Sequence, residues 1–100
     1  MTRYKARRGV VLTTVCGEHL LVAVKGLKDV CPFVTTLNES SAFLWKRLEN
    51  GASEEELLTA VAEEYDVEDM TSVRKMIENF LEQMREMHYL ETQEEEEDEK

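Results

Sequence analysis

Residues 37–51 read LNESSAFLWKRLENG, and this stretch decides how the whole chain is interpreted. It holds the only tryptophan, Trp45, and two adjacent serines, Ser40 and Ser41. The serines either belong to a catalytic cluster or are the small polar residues with which a helix begins. A catalytic serine needs a base and oxyanion donors, and no G-x-S-x-G elbow surrounds this pair. We therefore expect a helix start and no enzyme activity.

The same stretch carries the signals of an amphipathic helix. Asn38 can accept hydrogen bonds from the free N–H groups of a first turn, and Glu39 suits the positive end of the helix dipole. Apolar residues then recur at helical spacing, at Ala42, Leu44, Trp45 and Leu48. Asn-Gly at residues 50–51 is typical of a helix end. The spacing predicts a first helix that buries Trp45 in the core.

Three extended segments are predicted before this helix. The run GVVLTTVCGEHLLVAVKG, residues 9–26, is rich in Val, Leu and Thr, with Gly17-Glu18 between two strand-like runs, and it predicts a β-hairpin. PFVTTLN, residues 32–38, predicts a third strand in which Phe33, Thr35 and Leu37 share one face. Proline suits the start of an edge strand. In a simple meander the third strand lies at an edge, so one row of its backbone groups is expected to be unpaired.

Two more helices are predicted after Gly51. Ser53 and Glu56 have the spacing of a capping box that opens the second helix, which ends at Asp66-Val67. Its apolar positions are Leu57, Leu58, Val61, Ala62 and Tyr65. The third helix starts between residues 69 and 72, ends near Tyr89 and buries Val73, Ile77, Phe80, Leu81 and Met84. Three strands followed by three helices indicate the α+β class.

Composition excludes several classes of function. A chain of 100 residues has room for one domain with a modest core. Its net charge of -10 argues against nucleic acid as a partner, and no apolar run approaches the roughly 20 residues of a membrane span. Cys16, Cys31, His19 and His88 show no metal-ligand spacing. We expect a cytoplasmic protein with two reduced cysteines and without metal or cofactor.

The charges are unevenly distributed along the chain. Cations crowd residues 1–8, whereas residues 93–100 read QEEEEDEK. Both ends are expected to be solvated and mobile, because such runs bury little apolar surface. The predicted organisation is a basic arm at residues 1–8, a domain at residues 9–91 and a disordered acidic tail at residues 92–100.

The order of these motifs resembles the PqqD family. The resemblance lies in the strand end LNE (37–39), the run AFLW (42–45), the NG stop (50–51) and the second helix ASEEELLTAVAEEYDV (52–67), and it extends to residue 90. The family comprises small proteins of pyrroloquinoline quinone biosynthesis. Its fold recurs as the recognition element of pathways that modify ribosomally made peptides. No single motif in the match is invariant, so its specificity comes from order and spacing.

The resemblance implies a winged-helix-like fold, with a three-stranded antiparallel sheet followed by three helices, and no catalytic activity. It further implies that the N-terminal leader of a precursor peptide binds as an added strand on the third strand, in the groove beside the third helix. The protein would present the leader to a modifying enzyme, often a radical S-adenosylmethionine (SAM) enzyme. An unpaired strand edge suits this role, because it can recruit an extended peptide through main-chain hydrogen bonds.

Carried onto this sequence, the resemblance implies a peptide site between the third strand and the third helix. The strand residues are Phe33, Val34, Thr35, Thr36 and Leu37, and the helix residues are Arg74, Met76, Ile77, Leu81, Met84 and Arg85. Which flank of the helix faces the groove stays open. One flank carries Met76, Gln83 and Met87, and the other carries Arg74, Leu81, Arg85 and His88. Methionines would form an adaptable apolar wall and arginines would pair with acidic leader residues, or both are ordinary core and surface residues.

Two other binding functions are alternatives. A DNA-binding winged helix has similar elements, but its wing usually follows the recognition helix, whereas these strands come first. The third helix also carries Glu78, Glu82 and Glu86. A generic protein-interaction module is the other alternative. We expect a monomer or weak homodimer that binds neither nucleic acid nor membrane.

Overall fold

The computed structural model describes residues 2–24 and 34–94. The elements in chain order are β1 (Thr2–Ala6), β2 (Val10–Val15), β3 (Glu18–Ala23), β4 (Val34–Leu37), α1 (Glu39–Leu48), β5 (Ala52–Ser53), α2 (Glu54–Glu64), α3 (Met70–Glu86) and β6 (Leu90–Glu94). They form three helices and two three-stranded antiparallel sheets. The α+β class expected from the sequence is confirmed.

The first sheet has the order β2-β3-β4 and contains the three strands that the sequence predicts. β2 and β3 form the expected hairpin along their whole length. The turn lies at Cys16-Gly17, one residue earlier than expected, with φ values of 52° and 80°. Positive φ at both central residues matches the right-handed twist of paired strands, which explains why the turn takes this position.

Each helix begins at a side-chain cap. The amide oxygen of Asn38 accepts a hydrogen bond from the backbone N–H of Ser41 at 2.8 Å, as the sequence predicts. Ser53 and Glu56 form the expected capping box, in which each side chain accepts from the other residue's backbone N–H, at 3.2 and 3.1 Å. The carboxylate of Asp69 caps α3 through the N–H of Thr71. These caps satisfy N–H groups that a helix cannot pair internally.

The hydrophobic core lies between the helices and the two sheets. Trp45 of α1 is fully buried, as predicted, and its ring meets that of Tyr89 edge-on, with centroids 6.4 Å apart. The other large side chains that are almost completely buried are Leu21, Leu44, Leu48, Leu57, Ile77 and Met84. α3 therefore packs with its apolar stripe inward, which fixes its two flanks relative to the sheets.

A second sheet, of order β5-β1-β6, was not expected. The prediction that residues 1–8 form a mobile arm is wrong for Thr2–Ala6, which is the central strand of this sheet. Tyr4 and Ala6 pack against the core in alternation with the cations. Arg3 contacts Glu56 at 3.0 Å and the carbonyl oxygen of Gly51 at 3.1 Å. The strand was missed because its basic residues, which alternate with apolar ones at the period of two of a strand, resemble a solvated charged run.

The other strand of this pair comes from the acidic end of the chain. β6 runs through Glu94 and pairs with β1 from Thr2 opposite Glu94 to Ala6 opposite Leu90. Residues 92–94 therefore belong to a strand. Residues 95–100 lie outside the described residues, so the disordered tail stays a prediction there. None of the described helices combines the length and apolar character needed to cross a membrane.

Candidate binding site at the edge of β4

β4 is an edge strand in the described part of the fold. It pairs with β3 on one side, from Val34 opposite Val22 to Leu37 opposite His19, and no described strand pairs with its other side. That side presents backbone N–H and C=O groups of an extended chain. Phe33, also expected at this site, lies outside the described residues. The edge therefore consists of four described residues, Val34–Leu37.

The side chains of β4 alternate between the two faces of the sheet. Leu37 is buried and Thr35 half-buried on the core side, while Val34 and Thr36 are exposed on the opposite side. The hydroxyl of Thr35 lies 2.9 Å from the hydroxyl of Tyr89 and 3.9 Å from the sulfur of Met87. These contacts bring the C-terminal end of α3 and the turn after it against the edge strand.

The contact between Thr35 and Met87 identifies the flank of α3 that faces β4. Met76, Phe80 and Met87 follow one another at i, i+4 and i+11, so they lie along one stripe of the helix. Met76 and Met87 are half-buried against the core, and Phe80 is buried. This flank, which we call the methionine flank, therefore meets the edge strand at its C-terminal end, through Met87. Ile77 and Met84 are buried beneath it and form part of the core.

The arginine flank faces away from β4. Arg74 forms ion pairs with Glu55 at 3.0 Å and Glu54 at 3.6 Å, both on α2. Leu81 and Arg85 line an open cavity of about 430 Å³ together with Tyr4, Glu54, Glu78, Glu82 and Glu86. The structure thus separates Arg74, Leu81 and Arg85 from the edge strand with which they were grouped.

Acidic groups dominate this cavity on the far side of α3. Burial, and then the hydrogen bond with Glu78, raise the pKa of the Glu54 carboxyl above its ordinary value. The neighbouring negative charge of Glu78 acts in the same direction. Glu54 therefore holds a proton more tightly than an ordinary carboxyl group does.

Tyr89 contacts the edge strand from the core side, and the sequence did not predict this position. It follows α3 through a turn in which His88 has φ of 64°, a left-handed conformation. This turn carries the Tyr89 ring back beneath the helix, where it is fully buried between Trp45 and Thr35. The available signal was an aromatic residue directly after an amphipathic helix. Periodicity ends with the helix and therefore does not show where such a residue points.

The polar residues considered for chemistry have structural contacts. The Ser40 hydroxyl donates to the side-chain oxygen of Asn38 at 3.2 Å. The His19 ring lies 3.0 Å from the Thr14 hydroxyl and 3.9 Å from Glu39. Among the described residues, no group of three or more His, Cys, Asp or Glu side chains is placed to hold a metal ion. Cys16 is an exposed free thiol, and Cys31 lies outside the described residues.

Comparison with known proteins gives a family and a fold. A family model described as coenzyme PQQ synthesis protein D (PqqD) matches residues 18–90. A solved structure of TbiB1 in complex with the TbiA(beta) leader peptide is 25% identical with a TM-score of 0.70, over 87% of this chain and 94% of that chain. Lasso peptide synthetase B1 complexed with the leader peptide is 18% identical with a TM-score of 0.65, over the same shares. No curated protein sequence matches the chain.

Proposed function

Because the chain belongs to the PqqD family, we propose that it is a non-catalytic binding protein that captures the leader segment of a ribosomally made precursor peptide by β-strand addition to β4. The observation that carries the proposal is the open edge of Val34–Leu37 beside the methionine flank of α3. An extended peptide along this edge satisfies its backbone groups with those of β4. The backbone supplies affinity and the side-chain pockets supply selection.

The surroundings of the edge favour an extended peptide with apolar side chains. In an added strand, alternate side chains point to the core side, over Thr35, and the others point the same way as Val34 and Thr36. The first set meets Met87, whose flexible thioether adapts to irregular apolar groups. Met76 lies further along the same flank of α3, packed against the core. The proposed wall is therefore the methionine flank, and the peptide does not rely on Arg74 or Arg85.

The solved relatives support a leader peptide as the ligand. TbiB1, a quarter identical to this chain and similar over most of its length, was solved with a leader peptide. The likeness to lasso peptide synthetase B1 supports the fold. The net charge of -10 weighs against the alternative of DNA binding, because a duplex backbone repels it. A duplex shift assay at low salt separates the two functions.

In this proposal the bound leader is presented to a modifying enzyme. The family resemblance favours a radical SAM enzyme, and the genes beside this one would identify it. The protein acts in the cytoplasm as a monomer or weak homodimer. It holds no cofactor of its own, so the chemistry belongs to the partner.

Proline substitution along β4 tests strand addition. Successive N–H groups point alternately to β3 and to the open side, so a proline at an open-side position removes a donor that the fold does not use. Val34→Pro, Thr35→Pro and Thr36→Pro are made separately, with folding followed by circular dichroism. Calorimetry then measures affinity for a synthetic peptide spanning the N-terminal half of the precursor encoded beside the gene. At least one folded variant is expected to bind about tenfold more weakly, equivalent to about 1.4 kcal/mol.

The opposite edge of the same sheet provides the matched control. Thr13→Pro and Thr14→Pro place the same lesion on β2, which is separated from β4 by β3. The variant of this pair that stays folded should bind the leader like the parent. If every folded β4 variant also binds like the parent, strand addition at β4 is wrong.

A further inference from the structure

The first sheet has an apolar face that points away from the core. Among the described residues, six large apolar side chains are well exposed, and four of them lie here: Val11 (51%), Val15 (52%), Val24 (47%) and Val34 (52%). The other two are Tyr65 and Met70, outside the sheet. Within residues 2–24 and 34–94, the exposed large apolar side chains are therefore concentrated on one side of one sheet.

Strand register joins these side chains into rows. Val11, Val22 and Val34 are direct neighbours across the three strands, and so are Thr13, Leu20 and Thr36. Together with Val15, Glu18 and Val24, these residues make up what we call the outer face. Glu18 is its only charged residue, although 34% of the whole chain is charged. Such a neutral apolar surface on an acidic protein is typical of an interaction site.

The area of the outer face limits what can cover it. The four half-exposed valines present on the order of 300 Å² of apolar surface, at the low end of patches that mark functional sites. A stable interface of standard size buries about 800 Å² on each partner. Pairing two copies would also bring together two bodies that each carry a charge of -10. A second copy is therefore a poor occupant.

A leader bound at β4 would enlarge this face. The fourth strand adds side chains that point the same way as Val34 and Thr36, so the row from Val11 to Val34 would continue onto the leader. A protein resting on the widened face would contact the sheet and the leader together. Its interface would be small, as in transient encounters, which suits delivery followed by release.

From this geometry we propose that the outer face is the docking surface for the enzyme that modifies the precursor. The enzyme would contact the outer face through an uncharged apolar surface of its own. This inference rests on the proposed function. It places the modifying enzyme on the face that adjoins β4, where the leader binds, and it makes the bound leader part of the contact. The enzyme thereby engages the loaded protein more strongly than the empty one.

Val11→Lys tests the proposal without changing β4, where the leader binds. Val11 lies on β2, two strand spacings or about 10 Å from β4. Met70→Lys is the matched control, because it makes the same charge change at an apolar residue on α3 that is 43% exposed. Both variants are compared with the parent for leader affinity by calorimetry. Mass spectrometry measures the initial rate at which the enzyme encoded beside the gene modifies the full precursor.

Val11→Lys is expected to bind the leader within about twofold of the parent and to lower the modification rate about tenfold, as for a loss of about 1.4 kcal/mol in docking. Met70→Lys is expected to change neither. An unchanged rate for Val11→Lys overturns the proposal. Sedimentation velocity that finds a dimer in the parent and a monomer in Val11→Lys also overturns it, since the face would then be a self-interface. Failure of the parent to bind the leader would instead contradict the proposed function.

Discussion

At the scale of single residues, Trp45 dominates the core of this small protein. It is fully buried and packs edge-on against Tyr89. Trp45→Ala is expected to lower the free energy of unfolding by about 3–5 kcal/mol, because it leaves a cavity that the neighbours fill incompletely. Urea unfolding followed by circular dichroism measures the change. Lys46→Ala, at the exposed next residue, is the control and should stay within about 0.5 kcal/mol of the parent. A loss below about 1 kcal/mol for Trp45→Ala would contradict the packing described.

Trp45 and Tyr89 also differ in how well the sequence reveals them. Trp45 shares a helical face with Ala42 and Leu48, so its burial follows from spacing. Tyr89 lies beyond the last helical turn, and its position depends on the left-handed backbone at His88. A histidine with positive φ is uncommon and leaves no recognisable pattern in the sequence. The hydroxyl contact with Thr35 therefore emerged only from the structure.

At the scale of elements, the contact between Glu54 of α2 and Glu78 of α3 predicts an unusual dependence of stability on pH. The pKa of Glu54 is raised by burial and by Glu78, so the folded protein holds this proton more tightly than the unfolded chain. Its contribution to stability is therefore largest at low pH. It declines as the pH rises from about 4.3, the ordinary carboxyl value, through the raised pKa. Glu54→Gln removes this decline, so the variant should gain stability relative to the parent between about pH 4 and pH 7.

Urea unfolding of the parent and of Glu54→Gln at about pH 4 and about pH 7 measures how the free energy of unfolding changes in each. Glu63→Gln, at an exposed carboxyl on the same helix, is the control for the loss of one negative charge. If Glu54→Gln and the parent change in parallel, the carboxyl pair does not affect stability as described.

Elements with a clear period were predictable, and those with mixed signals were not. The hairpin, β4 and the three helices follow from Val- and Thr-rich runs, a capping box and helical spacing. β1 was missed because its cations alternate with Tyr4 and Ala6, and a charged run resembles a solvated tail. The helical wheel separates the two flanks of α3 but does not show which one meets β4. That choice depends on tertiary contacts such as Met87 with Thr35.

At the scale of the whole molecule, β6 should separate two truncations. Ending the chain after Glu94 keeps all of β6 and removes only acidic residues and a lysine, so Tm is expected to stay nearly unchanged. Ending it after Leu90 removes most of the pairing with β1. Tm should then fall by at least about 5 °C, because a domain of this size loses roughly 4–8 °C for each kcal/mol. Thermal unfolding followed by circular dichroism compares the two. Equal melting of both truncations and the parent would mean that β6 adds nothing to stability.

The pairing of β1 with β6 also governs when the protein can fold. β1 precedes and β6 follows every other described element, yet their partners, more than 80 residues apart, lie side by side. Contacts between such distant segments carry a large loop-closure entropy and form slowly. During synthesis the first sheet and the helices can assemble early, and Tyr4 can already pair with Ala52 of β5. The pairing of β1 with β6, including Ala6 opposite Leu90, has to wait until β6 has been translated. The second sheet therefore closes only after the ribosome has passed residue 94.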